Sequence, residues 1–314
     1  FTLPQNDSGL MRPALDGQGH LWFGEMNRNY LGSFNAHNST FWQQEPPRGQ
    51  FGIMGIVAAP DNTIWFTEQY ADYIGHYFPA TGQYKTYPLP TLSLPDPSGT
   101  HKTLSLPSAP NDLILDKHGI LWFTEINANA IGSLNTANGS IHHYPLTSAP
   151  NAKPLDPYGL TIDPQGTIWF TEITSNRLGH LNPLTGQVSY FTPPEISAST
   201  PLMEVVSDAH GQIWATTFAV SQLIHFDPLS HTFTTYSNPM FTGGLYDLSI
   251  AANGDVWVTV TSKNILARLD VKAQRFLVYT IPTPNSLPIG LVVGQDQAVW
   301  FTESGSNKIG KLQV

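Results

Sequence analysis

The chain has no cysteine in 314 residues, which excludes a disulfide framework and leaves the redox compartment open. Charge is scarce as well. Asp, Glu, Lys and Arg make up 12% of the residues, about half of the roughly 25% usual in soluble domains. The 14 basic against 23 acidic residues leave a net charge of −9. No basic stripe exists to neutralise phosphates, so nucleic acid is excluded as a partner. No apolar run approaches the roughly 18 residues of a membrane-spanning helix, and no membrane partner is expected. Sustained helical periodicity is absent, as are a G-x-S-x-G elbow, a P-loop and an H-E-x-x-H pair. The 11 histidines show no metal-ligand spacing. His142 and His143 are adjacent on an expected strand, where neighbouring side chains face opposite ways.

Tryptophan and turn residues are plentiful. Gly and Pro number 26 each, as many short strands and tight turns require. Seven of the eight tryptophans (Trp22, Trp65, Trp122, Trp169, Trp214, Trp257 and Trp300) are spaced by 43, 57, 47, 45, 43 and 43 residues. A period in the forties marks a repeat whose units cannot bury themselves alone. The repeated text reads LWFGE, IWFTE, LWFTE, IWFTE, IWATT, VWVTV and VWFTE. Seven residues after each Trp stands Asn29, Asp72, Asn129, Asn176, Ser221, Asn264 or Asn307, mostly followed by an aliphatic–Gly pair. One repeat runs end to end, so residues 1–314 are read as a single domain.

Each unit reads as four strands. In the fourth these are Tyr158 to Ile162, Thr167 to Glu172, Arg177 to Leu181 and Gln187 to Thr192, joined by Asp-Pro-Gln-Gly and Pro-Leu-Thr-Gly turns. The expected fold is all-β: a seven-bladed β-propeller of four-stranded blades. The last repeat stops after its third strand. The opening Phe1-Thr2-Leu3-Pro4 matches fourth-strand endings such as Tyr279-Thr280-Ile281-Pro282, so the N-terminal strand is expected to close the last blade. The long Trp65–Trp122 step places a surplus at Thr91 to Ala109, read either as a solvated excursion or as a lid.

The repeat WFTE…N-x-I-G-x-L, preceded by P-x-G-I/L eleven to twelve residues before the Trp, resembles the streptogramin B lyase (virginiamycin B lyase) family over nearly the whole chain. The resemblance implies a seven-bladed propeller that opens a cyclic depsipeptide by elimination, with a catalytic His and a carboxylate-held Mg²⁺ at the channel mouth. In the family that His lies eleven residues before a Trp. Here the seven equivalents are Met11, Met54, Asn111, Tyr158, Met203, Tyr246 and Ile289, none of them His. A neutral phenol is a poor base near pH 7 and a serviceable acid. The motif glutamates Glu25, Glu68, Glu125, Glu172 and Glu303 are the metal set that the resemblance implies. A carboxylate in every ordinary blade also reads as a blade-to-blade fastener bonded to turn N–H groups or a neighbouring Asn. No cofactor is favoured, and Mg²⁺ is the one the resemblance offers.

In a symmetric ring, function is expected where symmetry fails. Ten residues before each Trp, Gly55, Gly159 and Gly290 follow the family pattern, whereas the other four blades carry Arg12, Asp112, Glu204 and Asp247. On inner strands such charges need partners, so they read either as a paired structural network or as an acid/base cluster with shifted pKa values. Arg12, Asp247, Glu204, Asp112, Tyr158, Tyr246 and the insert residue His101 are the catalytic candidates. Met11, Met54, Asn111, Met203 and Ile289, with Phe218 and Lys263 from the atypical blades, are the candidate substrate wall, soft and apolar with few polar handles. His76, His180 and His225 read as surface or interblade residues, and Trp42 as packing.

Three functions compete. The first is a secondary-metabolite enzyme that folds an apolar small molecule into the funnel. It is similar to what is expected of fungal hetero-Diels–Alderases of tropolone-sesquiterpene pathways, which need a shaped pocket and a hydrogen-bond donor but no His and no metal. The second is a Mg²⁺-dependent lyase or lactonase, and the third a non-catalytic binding propeller. The sequons at Asn6, Asn38 and Asn138 and a chain opening at Phe1 lead to the expectation of a secreted, glycosylated protein whose N-terminal segment was removed. A monomer or weak oligomer is expected.

Overall fold

Seven antiparallel sheets form a ring in the computed structural model, which describes residues 1–47, 52–95, 103–146, 156–194, 200–241 and 243–314. The inner strands are Ala14–Leu15, Ile53–Ala58, Pro110–Leu115, Pro157–Ile162, Leu202–Ser207, Leu245–Ile250 and Pro288–Val293. Each pairs with the Trp-bearing strand that follows it, and the third and fourth strands are added outward in chain order. The only helical element among the described residues is a single 3₁₀ turn, Thr261–Lys263.

The N-terminal strand closes the ring. Thr2 bridges Lys308, the Leu3 N–H donates to the Asn307 carbonyl at 3.1 Å, and the Ile309 N–H donates to the Phe1 carbonyl at 2.8 Å. Phe1 stacks on Trp300 at 6.1 Å. In blades two to six, Tyr87, Tyr144, Phe191, Tyr236 and Tyr279 approach their tryptophans at 5.1–5.8 Å in the same way.

The core lies between blades. Trp169 of blade four packs with Leu202, Val205, Ile213 and Phe226 of blade five, so each sheet face is buried only by its neighbour. The Phe of the WF pair is matched in size across the strand pair. At Gly32, Gly75, Gly132, Gly179 and Gly310 a Cβ would lie 2.0–2.2 Å from the ring of Phe23, Phe66, Phe123, Phe170 or Phe301. Where the Phe is replaced by Ala215 or Val258, the opposite residue grows to Ile224 or Ala267. Summed volume is thereby conserved.

The recurrent Asn, Asp or Ser after each Trp strand has φ between 50° and 59° at all seven positions. This left-handed conformation suits Asn and Asp, whose short side chains bond locally. The side chain also ties blades together. Asn264 Oδ1 accepts from the Ser286 N–H at 2.9 Å, Asp72 Oδ1 from the Ala109 N–H at 2.7 Å, and Asn307 Oδ1 from the Ser8 N–H at 3.2 Å.

The excursion between blades two and three contains a hairpin, Leu92–Pro95 paired with Thr103–Leu106. Its Leu-Ser-Leu alternation is the strand signal that the Pro and Ser content obscured. His101 lies outside the described residues. His76, His180 and His225 lie on the sheet face that carries their blade's tryptophan, their rings 3.6, 4.6 and 4.4 Å from Trp65, Trp169 and Trp214.

Candidate functional site

The threonine of the WFTE motif builds the scaffold of the channel. In blade three, Thr124 Oγ1 accepts from the Asp112 N–H at 3.0 Å and donates to the Tyr158 carbonyl of blade four at 2.8 Å. Thr216 bonds the Glu204 N–H and the Tyr246 carbonyl in the same way, and Thr259 the Asp247 N–H and the Ile289 carbonyl. In each of these three blades one buried hydroxyl thus sets both residues that the sequence singled out on the inner strand. The recurrent Thr was the available signal, and the adjacent Glu drew attention from it.

Arg12 enters this frame from blade one. Its Nη1 lies 2.9 Å from Asp112 Oδ2 and 2.7 Å from Glu204 Oε2, and its Nε 3.1 Å from Asp247 Oδ1. The Glu204 and Asp247 side chains are 2% and 1% exposed, so this is a buried network and not a solvated face. Backbone groups complete it. Asp112 Oδ2 accepts the Leu160 N–H at 3.0 Å, and Asp247 Oδ2 accepts the Leu291 N–H at 2.8 Å. The glycines of blades four and seven make room: a Cβ on Gly159 would lie 2.6 Å from Glu204 Oε2, and one on Gly290 2.5 Å from the Arg12 Cα.

Three carboxylates against one guanidinium leave an excess of negative charge in a dry place. Burial pushes the Glu204 carboxyl well above its usual range, Arg12 opposing and Asp112 and Asp247 adding to the rise. Asp247 is raised by burial and held back by Arg12 and two backbone N–H groups. Of the three carboxyls, Glu204 is thus the one whose neutral form burial favours most.

Tyr158 and Tyr246 stand beside it. Their hydroxyls are hydrogen-bonded to each other and their rings meet edge to face at 6.4 Å. Burial raises both phenols, Glu204 contributing, so both remain neutral donors. Met11, Met54, Asn111, Tyr158 and Tyr246 line a narrow cavity of about 10 Å³ with Arg12, Asp112 and Glu204, room for about one water. Asn111 is itself spent on structure, donating to the Tyr158 carbonyl and accepting from Gln69 Nε2, each at 3.2 Å. Phe218 is 43% exposed and meets Tyr246 at 6.3 Å, on the rim. Lys263 is exposed on the 3₁₀ turn. Met203 and Ile289 sit on the inner strands of blades five and seven, outside the lining of this cavity.

The motif glutamates are not gathered together, and their partners are side chains near the same blade rather than turn N–H groups. Glu25 is bonded to Gln43 and approached by Arg28 at 3.4 Å. Glu125 accepts from Ser108 and lies 2.7 Å from His143 Nδ1. Glu172 pairs with Arg177 at 2.9 Å, and Glu303 accepts from Ser306 at 3.1 Å. Glu68 is buried with both oxygens unpartnered, and burial raises it to about 7. Among the described residues no three His, Asp or Glu side chains come together as metal ligands. The one carboxylate cluster of the channel is already filled by the Arg12 guanidinium, so its donor set does not fit a Mg²⁺ ion with Arg12 in place. The sequon residues Asn6, Asn38 and Asn138 are all exposed.

The chain matches the model of the virginiamycin B lyase family over residues 1–227 and again over 108–314. It is similar in structure to virginiamycin B lyase from Staphylococcus aureus, with 24% identity, a TM-score of 0.85, and coverage of 100% of this chain and 98% of that one. A streptogramin B lyase structure is 26% identical with a TM-score of 0.86, over 100% of this chain and 96% of that one. A catalytically inactive variant of the S. aureus enzyme, solved with quinupristin, gives 24% identity and a TM-score of 0.85 over 100% and 98%. No curated protein matches the chain in sequence. On the family match, which spans the whole ring, the chain belongs to the virginiamycin B lyase family.

Proposed function

We propose that this protein is a lyase-type enzyme acting on a small organic molecule at the channel mouth, and that its chemistry is acid and hydrogen-bond donation rather than base catalysis. The observation that carries this reading is the Tyr158–Tyr246 hydroxyl pair, set beside Glu204, whose carboxyl burial pushes well above its usual range. Neutral donors fixed by the Thr frame polarise a substrate carbonyl without reorganisation. Such a donor set serves ring closure of the hetero-Diels–Alder type, where an electron-poor enone or quinone methide is held against a partner. It does not supply the proton abstraction of an elimination. The reading is of a metal-independent enzyme, since Arg12 already occupies the carboxylates that an ion would need.

A second reading is a non-catalytic binding propeller. It is favoured by the completeness of the Arg12 network, whose carboxylates are met by the guanidinium and backbone N–H groups alike.

Purified protein is incubated with the small-molecule extract of its source organism, with and without EDTA, and the products are resolved by mass spectrometry. A chelator-resistant product equal in mass to joined or rearranged precursors, reduced about 10²-fold in Tyr246→Phe, supports the donor mechanism. Chelator-sensitive ring opening restores the metal-dependent lyase reading. No turnover in any arm moves the function to binding.

A further inference from the structure

Two positions near the channel mouth carry a side-chain amide in one blade only. Eleven residues before the Trp it is Asn111 of blade three, where the other blades have Met, Tyr or Ile. Two residues after the motif threonine (Gly24 in blade one) it is Gln69 of blade two, where the others have Met26, Ile126, Ile173, Phe218, Thr261 and Ser304. The two exceptions meet. Gln69 Nε2 donates to Asn111 Oδ1 at 3.2 Å, and both residues are buried, 8% and 4% exposed. Two amides that break the repeat and bond to each other inside the ring form one unit.

Blade two grips Asn111 twice. Thr67 Oγ1 donates to its carbonyl at 2.9 Å, and Gln69, two residues on, takes its side chain. Gly55 permits the approach, since a Cβ there would lie 2.6 Å from the Asn111 carbonyl. Gln69 is fixed in turn, its N–H donating to the Gly52 carbonyl at 2.9 Å. Asn111 passes the hold on to blade four. Its Nδ2 donates to the Tyr158 carbonyl at 3.2 Å, beside Thr124 Oγ1 at 2.8 Å. Among the described residues, the same carbonyls of blades five, six and seven (Met203, Tyr246 and Ile289) have one side-chain donor each, the motif threonine of the preceding blade. Tyr158 has two.

The polarity of this chain is set from its far end. A backbone carbonyl only accepts, so Asn111 must turn its Nδ2 to Tyr158 and its Oδ1 to Gln69, and Gln69 must present Nε2. Neither amide can rotate by half a turn without setting oxygen against oxygen. The chain ends on one member of the hydroxyl pair, whose other member, Tyr246, comes from blade six. Tyr246 has no second anchor. Thr216 holds its carbonyl, and its ring meets the rim residue Phe218 at 6.3 Å. The pair is therefore asymmetric: one tyrosine is tied back through two preceding blades, and the other lies against the rim.

We propose that Gln69 and Asn111 are positioning residues for the donor pair, fixing Tyr158 against Tyr246 and leaving Tyr246 as the member that meets the substrate. This rests on the donor chemistry proposed above for the channel mouth. Both amides act through Tyr158 and supply no proton of their own. Their part is to keep a hydroxyl preorganised, so that polarising a substrate carbonyl requires no rearrangement.

The protein is labelled with tyrosine carrying ¹³C at Cζ, and the Tyr158 and Tyr246 resonances are assigned from Tyr158→Phe and Tyr246→Phe. In the parent each resonance shifts when the other tyrosine loses its hydroxyl, which reports the bond between them. Gln69→Glu keeps the shape but offers Asn111 only acceptors, so the Asn111 amide turns and Tyr158 loses its second donor. Both resonances are expected to move toward their values in the single Phe variants. Gln69→Met, which removes the donor without opposing the chain, moves them less, and Gln165→Glu on an exposed turn leaves them in place. Where channel-mouth turnover is detected, Gln69→Glu lowers kcat about tenfold with KM unchanged. Should Gln69→Glu not fold, Gln69→Met decides alone. Resonances that stay in place in a folded Gln69 variant overturn the positioning role, with or without turnover. Resonances that move in a protein without turnover uphold that role and remove only the function it rests on.

Discussion

Arg12 Nη1 and Glu204 Oε2 lie 2.7 Å apart across the ring, one from blade one and the other from blade five. The contact joins residues 192 positions apart, and it places a cation against three carboxylates that could not share a dry channel without it. Arg12→Gln leaves those carboxylates uncompensated. The expected loss of unfolding free energy is about 3–5 kcal/mol, read as a lower midpoint in urea. The double variant with Glu204→Gln recovers part of that loss, because one of the carboxylates is then gone.

Gly159→Ala tests the same contact from the other side. The new Cβ would stand 2.6 Å from Glu204 Oε2 and 2.8 Å from the Met203 carbonyl. The expected result is a destabilisation of about 1–3 kcal/mol from overpacking, with reduced turnover in any assay that detects the channel-mouth activity. Gly166→Ala, at a turn with open space around its Cβ position, has no such clash, although its φ of 86° carries its own backbone cost. It leaves turnover unchanged.

Thr124→Val removes a hydroxyl that serves both the Asp112 N–H and the Tyr158 carbonyl. Shape is kept, the buried Asp112 N–H loses its partner, and the Tyr158 carbonyl keeps only the Asn111 amide. Stability is expected to fall by about 2 kcal/mol, whereas Thr185→Val on an exposed turn is near neutral. Chemical denaturation of the two variants against the parent decides this.

Glu68 makes stability depend on pH in an unusual direction. Burial without a partner raises its folded-state pKa from 4.5 to about 7, so between these values the folded protein binds more protons than the unfolded chain. Its contribution is full below pH 4.5 and is lost as pH rises through 7, by about 3 kcal/mol in order of magnitude. Glu68→Gln should therefore be more stable than the parent at pH 8, with the advantage vanishing below pH 5. Thermal melts across that range check it, and a difference constant with pH would contradict the assignment. Glu172, also raised to about 7 by burial although paired with Arg177, adds a slope of the same sign.

The amino-acid sequence by itself determined the ring. Indole spacing, the WFTE text, the Asn after each strand pair and the match of Phe1–Pro4 to fourth-strand endings are local signals repeated seven times, and repetition makes each check the others. The unpaired charges on inner strands were legible too, because Gly55, Gly159 and Gly290 show what the unbroken pattern would have been. What the charges do to one another was not. Arg12 meets Asp112, Glu204 and Asp247 only because ring closure brings four blades to one axis. Tyr158 reaches Tyr246, 88 residues away, for the same reason. Sequence periodicity encodes what each blade repeats; contacts across the axis and gaps between blades depend on geometry shared by residues that no local pattern connects.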